Sequence, residues 1–153
     1  MTTASPHAHG VHFGRTDVQN VGMGVGILAL LVGILGFIPG ITARYGELMF
    51  LGPDSHAMLF GLFQVSMLLN IVQLVIGGTG LAMSRSEMGA RRFLMGAGAL
   101  YIILSIYGLS VGVDSAANFL SLNMTDSWTL MVAGVLMIVA GWMFSRHLAG
   151  DRK

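Results

Sequence analysis

The sequence predicts an all-α membrane protein, an antiparallel up-down bundle of four transmembrane helices. Of the 153 residues, 54% are hydrophobic and only 10% are charged, whereas a soluble domain carries about a quarter charged residues. Four segments lack any Asp, Glu, Lys or Arg, and each is long enough to cross a hydrocarbon core of about 30 Å as a helix. The 22 glycines are typical of membrane helices, in which they let two backbones approach closely.

The spans follow from these uncharged segments. Because every backbone amide in lipid must be satisfied within its own segment, helix is the economical structure for each. The spans are predicted at residues 21–41, 57–83, 93–113 and 128–144. The second is longer than a crossing requires, so we expect it to tilt, to extend beyond the lipid or to bend near its glycine cluster. The predicted organisation is a polar tail (1–20), the four-helix domain (21–144) and a basic tail (145–153).

The orientation follows from the lysines and arginines. Seven of the eight lie in the two tails and in the loop after the second span, and only Arg44 falls on the other side. Positive charge marks the cytoplasmic side. Both termini are therefore predicted to be cytoplasmic, and the loops 42–56 and 114–127 to face outward.

Several classes of function find no support in the composition. The chain has no cysteine, so disulfides, thiolate metal sites and cysteine nucleophiles are excluded. The net charge of +1 gives no reason to expect a nucleic-acid partner. No span holds a charged residue or a central histidine, which argues against a proton relay or a haem between helices. We therefore expect no catalytic residue, no metal site and no cofactor, and hence a protein that is not an enzyme.

Small residues recur along the spans at steps of three and four. This spacing keeps them on one face of a supercoiled helix. Lipid chains are as apolar as leucine, so close backbone contact between small residues is what holds membrane helices together. The glycines expected to pack helix against helix are Gly22, Gly26, Gly33, Gly36, Gly40, Gly77, Gly80, Gly108 and Gly112.

Polar side chains share a face with these small residues in the second and third spans. Asn70 and Gln73 are three residues apart and lie on one helix face. An unpaired amide in lipid costs several kcal/mol, so both should face the bundle and bond with tyrosines or serines of the third span. The predicted polar seam, which is also the possible ligand pocket, consists of Ser66, Asn70, Gln73, Tyr101 and Ser105.

Two interpretations of this polar seam are open. The side chains could stabilise helix packing, at about 0.6–2 kcal/mol per hydrogen bond, or they could bind a ligand or an ion. We favour packing because no ionisable group accompanies the amides. Gln64 lies about 180° from Gln73 on a helical wheel, so its role stays open, as does that of the outer loop 114–127.

Four motifs together resemble a known family. They are VGILGFIPGIT (residues 32–42), LFGLFQVSMLLNIVQLVIGGTGLA (59–82), YGL (107–109) and SAANFLSLNMTDSW (115–128). The chain is similar to small bacterial four-helix membrane proteins, common in actinobacteria, that are catalogued only as a domain of unknown function. The resemblance runs from about residue 21 to residue 143. It implies a multi-pass protein of the bacterial plasma membrane with no assigned activity.

The chain departs from this family at three positions. Relatives commonly carry histidines just before the asparagine of the second span, three residues after it, and two residues after the tryptophan of the fourth span. The corresponding residues here are Leu69, Gln73 and Leu130. If those histidines bind a metal or a haem in relatives, this chain lacks that site. The departure favours packing, or neutral hydrogen bonding to a ligand, over redox chemistry.

Three hypotheses of function follow. The first is a structural or accessory subunit in the lipid bilayer, which packs through its glycine faces against a larger membrane complex or a second copy of itself. The second is a transport or ligand-binding membrane protein with a polar pocket near Asn70 and Gln73. The third is a redox or quinone-associated membrane subunit.

Overall fold

A computed structural model describes residues 16–150 of the chain, with side chains for residues 16–143. Most of the predicted N-terminal tail and the end of the C-terminal tail lie outside the described residues. The helices are α1 (Asp17–Leu35), α2 (Met67–Met83), α3 (Glu87–Ser110) and α4 (Met124–Gly150), with one 3-10 turn (Tyr45–Glu47). The strands are β1 (Thr42–Ala43), β2 (Met58–Leu59) and β3 (Phe63–Gln64).

Three of the four helices are long and apolar enough to cross a membrane: α1, α3 and Met124–Met143 of α4. The 17 residues of α2 make a shorter apolar helix. The outward faces of the long helices suit lipid, since Leu28, Ile103 and Leu136 are 63%, 62% and 63% exposed. The prediction of a helical membrane protein with four helices is confirmed at this level.

Short polar side chains mark where the helices begin. Ser66 Oγ accepts a hydrogen bond from Leu69 N at 3.2 Å, and Ser86 does the same for α3. At the start of α1, Gln19 Oε1 accepts from Thr16 N at 3.0 Å. Each bond satisfies a backbone group that the first helical turn leaves free. Local capping residues therefore determine where the first three helices begin.

Glycines bring α1 and α2 into close contact. A Cβ atom on Gly26 would lie 3.0 Å from the carbonyl oxygen of Gly77, so neither position has room for a larger side chain. Nearer the start of α1, Gly22 faces Ser84. As residue numbers rise along α1, they therefore fall along the facing side of α2. The predicted packing glycines within this contact are Gly22, Gly26, Gly33, Gly77 and Gly80.

A second close pair is formed by α3 and α4. A Cβ atom on Gly98 would lie 2.8 Å from the carbonyl oxygen of Gly134. Further along, Ser105 Oγ donates to Ser127 O at 2.6 Å, and Gly108 faces the same serine. Contact is extensive within each pair and much smaller between α1 and α4. The bundle therefore consists of two tight helix pairs with a loose junction between α1 and α4.

Three predicted packing glycines lie elsewhere. Gly36 sits at the C-terminal cap of α1, and its close neighbour is the side chain of Asn70. A Cβ atom on Gly40 or Gly112 would meet nothing within 4 Å in the described part of the chain, so the prediction that these two pack helices is wrong. The physical reason is that α1 and α3 have already ended, and Gly40 instead supplies the φ of +93° that its turn needs.

The predicted second span is also wrong in its first part. Residues 57–66 are not helical: β2 and β3 form a hairpin, and β1 adds to it as an antiparallel third strand. Thr42 pairs with Leu59, and Leu59 pairs with Phe63 on its other side. A helix is not required here because the strands and nearby side chains satisfy the backbone, which is tolerated at membrane depth when it is buried in protein.

The two long connections, residues 36–66 and 111–123, meet at one end of the bundle and are called the loop cap below. Gly52 N donates to Phe119 O at 2.9 Å, and Ser66 Oγ donates to Leu120 O at 3.1 Å. Within residues 16–150, the connection at the opposite end of the bundle is the short one between α2 and α3. The cap therefore covers the ends of both helix pairs.

Gln64, whose role the sequence leaves open, holds the cap together. Its Nε2 donates to Ser55 O at 2.7 Å, and its backbone N donates to Asp126 Oδ2 at 3.1 Å. Ser55 Oγ in turn donates to Val65 O at 2.6 Å. Gln64 thus joins β3 to the preceding loop and to the start of α4.

The loop between α3 and α4 is shaped by Asn118. Its Nδ2 donates to Val113 O and Leu122 O at 3.1 and 3.0 Å, and its Oδ1 accepts from Leu122 N at 3.0 Å. Asn118 is fully buried. One side chain therefore fixes the course of most of this loop.

Candidate functional site

A cavity of about 470 Å³ lies between α1, α2 and α4, below the loop cap. This volume is within the range of about 300–1,000 Å³ that is usual for small-molecule sites. Most of its wall is apolar, with Val25, Leu136 and Met137 among the residues of α1 and α4. The polar residues of the wall are Asn70, Gln73, Tyr101, Asp126 and Thr129.

Asn70 is the most unusual residue of this wall. It lies in the first turn of α2, is fully buried, and neither its Oδ1 nor its Nδ2 has a hydrogen-bond partner among the described residues. Gly36 makes room for it, because a Cβ atom there would collide with the amide. A buried polar group without a partner costs about 1–3 kcal/mol. The prediction that Asn70 bonds to the third helix is therefore wrong in this structure.

An unpartnered polar atom beside a glycine is not by itself the mark of a site. Ser84 Oγ and Ser121 Oγ are also buried without a partner in the described part of the chain, and they face Gly22 and Gly52. Neither serine lines the cavity, whereas Asn70 does. The combination of an unpartnered amide and an adjoining cavity is what distinguishes Asn70.

Gln73 is paired, in contrast to Asn70. Tyr101 Oη donates to Gln73 Oε1 at 2.7 Å, which joins α2 to α3. This partner agrees with the prediction made from the sequence. Both residues line the cavity, so their hydrogen bond is part of its wall. For a ligand in the cavity, this pair would be a polar surface whose hydrogen-bonding groups are already partly used by each other.

The other two members of the predicted polar seam lie outside the cavity wall. Ser66 caps α2 and bonds to the loop cap, and Ser105 bonds across to α4. The structure therefore divides the seam: Asn70, Gln73 and Tyr101 come together at the cavity, and the two serines stabilise connections elsewhere.

Asp126 is a wall residue that the sequence analysis placed in an outer loop. It lies in the first turn of α4 and is 7% exposed. Its Oδ2 accepts from Gln64 N and Asn123 N at 3.1 and 3.0 Å, and Asn123 Oδ1 accepts from Asp126 N at 2.8 Å. The reciprocal bonds with Asn123 form a capping box. The spacing of these two residues before an apolar run is the signal that could have revealed it.

The opening of the cavity lies at the loose junction between α1 and α4. Leu28 and Leu136, one on each helix, line the cavity and are both 63% exposed. Phe60, from the hairpin turn of the loop cap, also lines it and is 57% exposed. Because α1 and α4 are long and apolar enough to cross a membrane, an opening between them would face lipid.

The three positions at which relatives are expected to carry histidines all belong to this wall. Leu69, Gln73 and Leu130 line the cavity. Within the described residues, no group of three or more His, Asp or Glu side chains could hold a metal ion.

The comparisons with known proteins bear on the family alone. A search of the curated proteins and a search of the solved structures find no significant match. One family model, described as a domain of unknown function (DUF4383), matches residues 19–143. This match covers α2, α3 and most of α1 and α4, and it agrees with the resemblance in the sequence motifs. The chain therefore belongs to the DUF4383 family of unknown function.

Proposed function

We propose that this protein is a non-catalytic membrane protein that binds an apolar small molecule in the cavity below the loop cap. The observation that carries the proposal is Asn70, a residue of the cavity wall whose carboxamide is fully buried and has no partner among the described residues. A carboxamide offers both a donor and an acceptor. The amide packs against Gly36, so a ligand with one hydrogen-bonding group would recover the free energy that burial of Asn70 costs once the side chain turns towards the cavity.

The wall has the composition expected of such a site. Ligand cavities are mostly apolar and carry a few polar groups that fix the orientation of the ligand. Here the aromatic rings of Phe60 and Phe63 stand with aliphatic side chains, and the Gln73–Tyr101 pair lies beside Asn70 along α2. A quinone would be one ligand of this kind, but no residue of the wall favours redox chemistry.

The accessory-subunit hypothesis loses its main support. The glycines that would meet a partner, such as Gly26 and Gly77, face each other within this chain. Gly24 and Gly78 lie on outward faces with no close neighbour among the described residues. Gly78 and the exposed Ala82 stand four residues apart on α2, so one short small-residue face stays open to a partner. A contact with a larger complex or a second copy would use this face or the large apolar side chains around it.

The topology that we propose is an up-down antiparallel bundle in a bacterial plasma membrane, with both termini cytoplasmic. The falling residue numbers along the α1–α2 contact support it, as does the meeting of both long loops in one cap. Arg85, Arg91 and Arg92 lie at the opposite end. A C-terminal tag should be accessible only after the cells are permeabilised, and labelling of intact cells would overturn the orientation.

The binding proposal is tested by native mass spectrometry of the full-length protein purified in mild detergent. The wild type should retain a small-molecule adduct that Asn70→Leu loses. Thr79→Leu is the matched control, because Thr79 is an exposed polar residue of the same helix. Absence of an adduct from the wild type, or an adduct that Asn70→Leu keeps, would contradict the proposal.

A further inference from the structure

We propose that the ligand of this cavity is a neutral amphiphile that enters from the bilayer, with one long apolar chain and an uncharged hydroxyl or carbonyl head group. This inference rests on the proposed function, and it names the ligand class that the shape, polarity and charge of the cavity select.

The route of entry is lateral. The cavity opens where α1 and α4 make little contact, and Leu28 and Leu136 form the two sides of the opening. Both side chains are largely exposed on helices that are long and apolar enough to cross a membrane. A molecule dissolved in the hydrocarbon reaches this opening directly. A water-soluble molecule would have to leave water to reach it.

The wall changes from polar to apolar along the helices, as an amphiphile does along its length. Asn70 and Asp126 lie in the first turns of α2 and α4, close to the loop cap. Val25 and Met137 lie near the middle of α1 and of the membrane-crossing part of α4, and they line the other end of the cavity. The head group would therefore lie near the cap, with the chain along the middle of the helices.

The side chains around the cavity disfavour an anionic head group. No Lys, Arg or His within residues 16–143 lines it, so a phosphate or carboxylate would have no cationic partner. Burial of an unpaired charge is very costly, and the carboxylate of Asp126 would repel an anion. Asp126 Oδ2 already accepts two backbone hydrogen bonds. Asn70 and the hydroxyl of the exposed Thr129 are neutral wall groups that can bind a head group, and their chemistry suits a hydroxyl or a carbonyl.

The test is photolabelling of the full-length protein in lipid nanodiscs. The probes are a sixteen-carbon alcohol with a diazirine at the end of its chain, and the matching carboxylic acid and primary amine. Labelled residues are located by peptide mass spectrometry. We expect the alcohol to label Val25 and Met137 at least fivefold more than either charged probe does.

Two variants separate cavity binding from lipid that merely surrounds the protein. Asn70→Leu should lower labelling of Met137 by the alcohol at least fivefold. Leu136→Trp should do the same by filling the opening, and its exposed position leaves the bundle undisturbed. Val135→Trp is the control, because Val135 is 45% exposed and is not part of the wall.

The possible outcomes are distinct. Equal or stronger cavity labelling by the acid or the amine, lowered by Asn70→Leu, would overturn the neutral ligand class and leave the proposed function standing. A water-soluble adduct in native mass spectrometry would do the same. Labelling by the alcohol that is as strong at outward-facing Ile103 as at Met137, with no response to either variant, would overturn the ligand class. If the wild type also carried no adduct, the proposed function would fail with it.

Discussion

The α1–α2 contact and the loop cap hold chain segments together by different means. In the α1–α2 contact, glycines such as Gly26 and Gly77 allow two backbones to touch. In the loop cap, side chains such as those of Gln64 and Asn118 bond to backbone groups that no regular element satisfies. Helices satisfy their own backbones, so only close approach is needed between them. Irregular segments do not pair their own backbone N–H and C=O groups, so these groups need side-chain partners.

The cavity lies where these two kinds of region meet. The α1 and α2 helices stay in close contact from Gly22 to Gly33, yet α1 and α4 make little contact. Asn70 resembles the polar residues of the cap in chemistry but stands in a helix, where no irregular backbone needs its amide. The contrast between the regions thus explains why this one amide has no structural partner.

The largest effect is expected for Gly26→Leu. A Cβ atom at this position would lie 3.0 Å from both Gly77 O and Leu81 N, which are backbone atoms that cannot move aside alone. We expect the free energy of unfolding to fall by about 3 kcal/mol or more. Gly24→Leu, on the open face of the same helix, should change it by less than about 0.5 kcal/mol. Thermal unfolding in detergent measures both, and equal losses would show that close approach is not what stabilises the pair.

The next effect is expected for Asn118→Leu in the loop cap. The change removes three hydrogen bonds from a fully buried position and should cost about 2–3 kcal/mol. Hydrogen exchange should rise at the amides of residues 111–123 and stay unchanged across the α1–α2 contact. Asn20→Leu, at an exposed position of α1, is the control. Faster exchange throughout the bundle would mean that the two regions unfold as one unit.

The sequence predicts these two regions unequally well. Charge-free length and glycine spacing identify the helices and the contact through Gly22, Gly26 and Gly77, because both signals are local and periodic. The partners of Gln64 and Asn118 depend on how distant loops meet, which no local pattern contains. Counting uncharged residues also merged the hairpin with α2, although Ser66 is a recognisable helix cap. The sequence predicts a polar pocket near Asn70, Gln73 and Tyr101, but not its apolar wall, since that wall joins residues from four helices and the cap.

A smaller effect is expected from paired changes at Asn70 and Gln73. Gln73→Leu leaves the hydroxyl of Tyr101 without its partner and should cost about 1–2 kcal/mol. Asn70→Leu removes an amide that has no partner in the described part of the chain, so the delipidated protein should keep its stability or gain up to about 1 kcal/mol. Thermal unfolding of the two variants after exhaustive detergent exchange makes the comparison. A loss for Asn70→Leu as large as that for Gln73→Leu would assign Asn70 to packing.

The smallest effect on stability is expected for Phe60→Gly, in the hairpin turn above the cavity. Phe60 has a φ of +54°, a left-handed conformation that costs a non-glycine residue about 1–2 kcal/mol. Glycine relieves this strain but loses more conformational entropy on folding. We therefore expect a net gain in unfolding free energy of about 0.5 kcal/mol, measured by thermal unfolding.

The same change should weaken binding, because Phe60 is an exposed part of the cavity wall. Gly61→Ala is the matched change in the same turn: it adds strain at a φ of +70° and leaves the aromatic wall in place. Phe60→Gly should therefore raise stability and lower photolabelling of Met137, whereas Gly61→Ala should lower stability and leave labelling unchanged. If Phe60→Gly lowered stability and left labelling intact, the aromatic ring would belong to the packing of the cap and not to the cavity. Backbone strain kept beside a cavity is instead expected where a side chain is held in place for a ligand.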